Sequence, residues 1–142
     1  MLRCVLDTDV IIAAMRSPSG ASAAILLAAL DMPHLTLLIS VPLALEYEAK
    51  CLLPEHLQAG ELDERQGLTF VNTLIGLAEP VKLDFRWRPQ LRDPADEMVL
   101  ETAINGQADL LVTFNLRDYG SAPQQFGIQA LCPADALKRI RS

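Results

Sequence analysis

Short, uninterrupted apolar runs alternate with longer segments of mixed character along this chain. The runs are Leu2 to Leu6, Leu35 to Ser40, Val81 to Phe85, Ala108 to Thr113 and Ile128 to Leu131. None follows the strict apolar–polar alternation of a half-exposed strand, so each predicts a strand buried on both faces. The segments between them predict helices. Val10 to Met15 forms a short helical turn, and Ala21 to Leu30 a helix of small and aliphatic residues, with the breaker sequence Ser17-Pro18-Ser19-Gly20 between. Ser40 can cap a helix that carries Pro42 in its first turn and runs to about Leu53, before Pro54. Leu62 to Leu77 places Leu68, Val71, Leu74 and Ile75 at helical spacing. Asp93-Pro94-Ala95-Asp96 supplies a cap, a proline at the first helical position and acids in the first turn, opening a helix that ends near Gly106. Trp87 to Leu91 and Phe114 to Ser121 predict loops, and Pro133 opens a terminal helix to about Ile140.

Strand and helix alternate throughout, with no repeat, linker or low-complexity tract. The pattern predicts one α/β domain over residues 1–142, built on a mostly parallel sheet. A chain of 142 residues is long enough to bury a real core. Aromatics are only 5% of it, so Leu, Ala, Val and Ile must fill the interior. Asp31, Pro33, His34 and Pro42 interrupt the apolar stretches, and none reaches the ~18 to 20 residues of a membrane span. The chain enters a strand at once, which predicts no signal peptide and a soluble, cytoplasmic protein. Cys4, Cys51 and Cys132 lack any paired spacing, which argues against a disulfide framework or a zinc knuckle and for small core residues. His34 and His56 share no helical face, so a histidine metal site or a Ser/His/Asp triad is poorly supplied.

Sites in open parallel sheets form just beyond the carboxyl ends of the strands. Asp7 and Asp9 follow the first strand, Ser40 and its helix the second, and Thr113, Asn115 and Asp118 the strand at Leu110 to Val112. Asp7, Glu46, Asp96 and Asp118 are thereby aimed at one rim. Converging acids repel one another, and a divalent cation is the usual reason they are held together. Each also has a purely structural reading. Asp7 can cap the next helix, although Thr8 or Asp9 can do so instead. Glu46 stands in the favourable order before Lys50 at i, i+4, and spacing does not choose between Glu46 and Glu48. Asp93 can be a cap, Asp96 is favoured by the helix dipole, and an Asx turn accounts for Asn115 and Asp118. The net charge of −6 limits nucleic-acid contact to local basic groups: Arg86, Arg88 and Arg92 around Trp87, then Arg117, then the tail.

Four stretches together resemble the PIN-domain nucleases, in particular their VapC-like toxin branch. They are Val5-Leu6-Asp7-Thr8-Asp9-Val10, Leu45-Glu46-Tyr47-Glu48, Asp93-Pro94-Ala95-Asp96 with the helix to Ala103, and Ala108 to Tyr119. The resemblance covers nearly the whole chain. It implies a three-layer α/β/α domain that cuts single-stranded RNA with Mg²⁺ or Mn²⁺. Carried over, Asp7, Glu46 and Asp96 are the catalytic and metal-binding acids, and Glu46 is preferred to Glu48. The fourth acidic position of the family falls on Asn115, a departure that puts a second metal in doubt and that Asp118 can make good. Thr8, Thr113 and Asp93 support the site. Arg117, Arg86 and Arg88 guide RNA, with Trp87 either a stacking platform or a half-buried core residue. The implied partners are RNA, a small antitoxin protein and a second copy of the chain, with Ala21 to Leu30 serving as dimer face or as core. Two rival readings stand beside this one. A PIN-like module can bind without cutting, and Asp7-x-Asp9 after a strand also looks like the nucleophile motif of haloacid-dehalogenase-type phosphatases. The latter need a lysine by the phosphate, and Lys50, Lys82 and Lys138 follow no strand end.

Overall fold

The structure, a computed structural model, describes residues 1–84 and 90–142. The chain begins with β1 (Leu2–Leu6), α1 (Thr8–Arg16), α2 (Ala21–Asp31), β2 (Leu35–Ile39) and α3 (Val41–Cys51). It continues through α4 (Pro54–Ala59), α5 (Glu64–Leu77), β3 (Glu79–Pro80) and α6 (Pro94–Asn105). The last elements are β4 (Leu110–Val112), α7 (Leu116–Tyr119), α8 (Ala122–Gln125), β5 (Gln129–Leu131) and α9 (Pro133–Arg141). Among the described residues the strands form one sheet in the order β3-β2-β1-β4-β5, every neighbour parallel. Helix α6 packs on β1, β2 and β4, while α2 lies on β2 and α9 on β4, with α2 and α9 in contact. The expected three-layer α/β arrangement is the one observed.

Burial explains why the strands read as continuous apolar runs. Both faces of the central strands are covered, and Cys4, Val5, Leu110, Leu111 and Val112 are all buried. They pack with Ile11, Ile25, Leu38, Leu43, Leu100 and Ile140 in one core. Each such aliphatic side chain contributes about 1.5–3 kcal/mol on burial. Cys4 and Cys51 are buried core residues as expected, whereas Cys132 is half-buried; all three are free thiols. In α2, Ile25 and Ala28 are buried while Leu27 and Leu30 face outward, so this helix is core on one side and exposed apolar surface on the other.

The chain order places a topological switch at the middle of the sheet. From β1 the chain passes to β2 on one side, and β4 later joins β1 on the other. The loops leaving β1 and β4 therefore diverge and leave a crevice beyond their carboxyl ends. Leu6 pairs with Val112, and the Asp7 N–H donates to the Val112 carbonyl at 2.9 Å. Thr113 N–H donates onward to the Leu131 carbonyl at 3.0 Å.

Several boundaries differ from expectation. The strand expected at Val81 to Phe85 is observed at Glu79–Pro80, with Val81 adding one further bond to the Ile39 carbonyl; Phe85 lies outside the described residues. Helix α1 starts at Thr8 rather than Val10. Helix α3 ends at Cys51, and Pro54 then opens α4, because a proline that stops one helix suits the first turn of another. Leu62 and Asp63 stand outside α5, where Asp63 and Gln66 form a reciprocal capping box with bonds of 2.8 and 2.9 Å. The loop expected at Phe114 to Ser121 contains α7 and the approach to α8.

The buried sheet makes a direct expectation for stability. Replacing fully buried Leu111 on β4 with alanine costs about 2–5 kcal/mol. Replacing Leu45, 62% exposed on α3, changes stability by no more than about 0.5 kcal/mol. Chemical denaturation of the two variants measures both.

Candidate active site

Asp7 sits where β1 gives way to α1, at the mouth of the central crevice. Its backbone occupies the N-cap position of α1, yet its side chain caps nothing. The carboxylate turns instead toward the end of β4. Thr113 Oγ1–H donates to Asp7 Oδ2 at 2.8 Å, and the Tyr119 hydroxyl donates to the same oxygen at 3.0 Å. Asp9, in the first turn of α1, takes hydrogen bonds from the backbone N–H groups of Val10 and Phe114. Thr8 is buried in the first turn, and its backbone N–H helps to hold the Asp7 carboxylate.

The loop after β4 presents these donors by a local turn. Asn115 N–H donates to Thr113 Oγ1 at 3.0 Å, and Asp118 N–H donates to the Asn115 carbonyl at 3.0 Å, starting α7. Tyr119 ends α7 and is buried, and Gly120 follows in the left-handed region at φ 53° and ψ −133°. That backbone strongly favours a residue without Cβ, so Gly120 allows the chain to turn away directly behind the tyrosine. On the other side of the site, the buried Tyr47 of α3 donates its hydroxyl to the Leu6 carbonyl, fixing α3 against the end of β1.

Asp96 lies in the first turn of α6 and is buried at 8% exposure. Asp93 is the N-cap of that helix, its Oδ1 accepting from Ala95 N–H at 2.9 Å. Burial pushes Asp96 up to about 6, and the charges of Asp7, Asp93 and Asp118 add to the rise. Burial also raises Asp7, against the pull of the Thr113 and Tyr119 hydrogen bonds, with Asp93 repelling it further. Asp9 is pushed up to about 7 by burial and then by Asp7. Asp7, Asp9, Asp93, Asp96 and Asp118 thus share one electrostatic neighbourhood.

The remaining expected residues fall into three groups. Asn115 and Asp118 are exposed at the rim, with Asn115 Nδ2–H donating to Asp9 Oδ2 at 3.0 Å. Arg117 lies with Arg92, Asp93, Asp96 and Asp118 along a groove of about 650 Å³. Glu46 is half-buried beside Tyr47 on α3 and makes no hydrogen bond or ion pair among the described residues, so the structure does not join it to Asp7 or Asp96. Arg86, Arg88 and Trp87 lie outside the described residues. Spacing along the chain assigns Tyr119 no role, and it places Asp9 beside Asp7 at the strand end without naming it as a metal-binding acid. The signal for Tyr119 was its place directly after Asp118 in the post-strand loop. The signal for Asp9 was a second acid at the same strand end.

The donor types decide which cation these residues suit. Among the described residues no histidine or cysteine lines the groove, and the oxygens of Asp and Asn are hard ligands, matched to Mg²⁺ or Mn²⁺ rather than to zinc. Among the described residues no three acids, histidines or cysteines form a closed cage. Mg²⁺ does not require one, since one or two carboxylates hold it while water and substrate phosphates complete the shell. Asp9 Oδ1 is buried without a hydrogen-bond partner. An orphaned anionic oxygen amid mutually raised acids is what a cation relieves. The residues fit.

Comparison with known proteins bears on the fold and the family. No curated protein matches the sequence. The crystal structure of VapBC2 from Rickettsia felis, bound to a DNA fragment from their promoter, contains a chain similar to this one in fold. The two are 13% identical, with a TM-score of 0.62 over 92% of this chain and 98% of the other. The family model described as PIN domain matches residues 3–117, a span that includes Asp7, Glu46, Asp96 and Asn115. By that match over most of its length, the chain belongs to the PIN-domain family.

Proposed function

We propose that this chain is a metal-dependent endoribonuclease that cuts single-stranded RNA, and that it is the toxin of a toxin–antitoxin pair. The observation that carries this reading is the crowding of Asp7 and Asp96, with Asp93 and Asp118, at the switch point of a PIN-domain sheet. Asp7, Asp96 and Glu46 would hold Mg²⁺ or Mn²⁺, with Asn115 or Asp118 completing the set. A divalent cation bound there supplies an acidified water and neutralises charge at a scissile phosphate. The chain's own residues do the rest. Thr113 and Tyr119 lock Asp7 through one oxygen and so set the direction of the other. Arg92 and Arg117 flank the acids along the groove and give a phosphate backbone a local foothold on a protein of net charge −6.

Partners follow the same reading. An apolar groove of about 480 Å³ runs between α2 and α5, lined among others by Leu26, Leu27, Leu30, Leu62 and Phe70. Such a surface suits an antitoxin segment or a second copy of the chain. The fold shared with a VapBC2 chain supports the antitoxin. A binding-only module is the second reading, favoured by the neutral Asn115 where the family carries an acid. The phosphatase reading gains nothing, since among the described residues no lysine lines the acidic groove.

Cleavage of a mixed RNA panel in Mn²⁺, Mg²⁺ or EDTA tests the proposal. The wild type cuts with either metal and not in EDTA, and Asp7→Asn and Asp96→Asn each lose more than about 100-fold, beyond the usual effect of an outer-shell partner. Cutting that survives both substitutions, or in EDTA, contradicts the nuclease site. Metal binding without turnover supports the binding-only module. In the same assay Tyr119→Phe removes one donor to Asp7 and keeps the ring, so it loses roughly 10–100-fold while its melting curve stays cooperative. An unchanged rate would show that the Tyr119 hydroxyl does not position Asp7.

A further inference from the structure

Phe114 follows Thr113, the residue bonded to Asp7, in the loop that leaves β4, and it is 53% exposed. The other aromatics among the described residues, Tyr47, Phe70, Tyr119 and Phe126, are buried or half-buried. The backbone on both sides of the Phe114 ring is fixed. Phe114 N–H donates to Asp9 Oδ2 at 3.1 Å, Asn115 N–H to Thr113 Oγ1 at 3.0 Å, and Asn115 Nδ2–H to Asp9 Oδ2 at 3.0 Å. Phe114 forms one wall of a recess of about 420 Å³, with Ala13, Ala21, Pro133 and Ala134 among the others. That volume lies within the roughly 300–1,000 Å³ of small-ligand sites. Ala13 is one turn of α1 beyond Asp9, about 6 Å along the helix axis. The recess therefore opens beside Asp9, and it shares no lining residue with the groove that holds Arg92 and Arg117.

We propose that Phe114 is a base-binding residue: an unpaired base flanking the scissile phosphate stacks on its ring and enters the apolar recess. This rests on the nuclease reading above and names the part of the RNA that the site grips. The protein carries a net charge of −6, and only Arg92 and Arg117 bring positive charge to the groove. Phosphate contacts alone are thus few, and affinity for RNA needs an uncharged contribution. Stacking on an aromatic ring supplies one, because every base presents a π face. A base inside a duplex is already stacked between its neighbours, so a single ring with a recess behind it selects unpaired strands. A ring whose backbone is held from both sides also gives up little freedom on binding. With more than half of its surface in water, Phe114 adds little to the packing of the fold.

Cleavage of a single-stranded RNA oligonucleotide in Mn²⁺ tests this with the full chain as wild type, Phe114→Leu and Phe114→Tyr. Leucine still covers the recess but removes the π face, and tyrosine keeps it. A matched series of substrates lacks one base at a time around the cut bond. The expected result is a loss of about 5- to 150-fold in kcat/KM for Phe114→Leu on the complete substrate, with Phe114→Tyr close to wild type. On one of the abasic substrates wild type and Phe114→Leu become equal, because no base is left to stack. Circular dichroism of both variants stays native. A leucine variant as fast as wild type overturns the inference and leaves the nuclease reading standing. A loss of the same size on every abasic substrate overturns it too, and gives the ring a role only in holding the loop. Unchanged cleavage with an altered sedimentation coefficient overturns it in favour of a second copy of the chain in the recess. A wild type that cuts no RNA with either metal removes the nuclease reading, and this inference with it.

Discussion

Two hydroxyls on one carboxylate oxygen hold this site together. Asp7 ends β1, Thr113 and Tyr119 follow β4, and their hydrogen bonds to Asp7 Oδ2 close the gap between the two strands. Without them a buried carboxylate would stand at the end of an apolar strand with little to offset its lost hydration. The same bonds orient the acid, because an oxygen that accepts twice cannot swing. Much of the surrounding structure serves this contact. The turn at Asn115 starts α7, α7 brings Tyr119 inward, and Gly120 takes the chain away. On the far side, Tyr47 clamps α3 to the last carbonyl of β1.

Around this contact several acids are buried near one another's charge. Asp9 and Asp96 are raised to about 7 and about 6 by burial and by the neighbouring charges. Part of the stability that packing provides is thus set against like-charge repulsion at the carboxyl end of the sheet. Perturbed acids gathered in one place are characteristic of functional sites. Under the proposed function, a cation there would offset the acids and leave Arg92 and Arg117 to set the local field.

Much of the architecture was legible in the sequence, because burial on both faces leaves a continuous apolar run that cannot be read as an exposed strand. Leu2 to Leu6 and the Asp93-Pro94 opening of α6 were found nearly to the residue. Short elements were not, since α4, α7 and α8 are four to six residues long and carry no full period of apolar spacing. Asp7 and Asp96 could be placed from their positions at strand and helix ends. Glu46 was chosen over Glu48 by resemblance, and geometry gives it a place beside Tyr47 without a bond to the other acids. Asp9 and Tyr119 were missed as site residues because their roles depend on pairings 106 and 112 residues away, which spacing along the chain does not reveal.

The central claim, that these acids are crowded in readiness for a cation, is tested most directly by stability against pH with and without Mn²⁺. A carboxyl whose folded value lies above its unfolded one contributes stability that is fully present below the unfolded value and lost as pH rises through the folded value. For Asp9 that window runs from the ordinary 3.8 to about 7, and for Asp96 to about 6. In EDTA the denaturation midpoint should therefore fall as pH rises from about 4 to about 7. Mn²⁺ should restore it most at the upper end, where the acids are ionised and free to bind. A midpoint that does not fall across that window, or one that Mn²⁺ leaves unchanged at pH 7, would contradict the account.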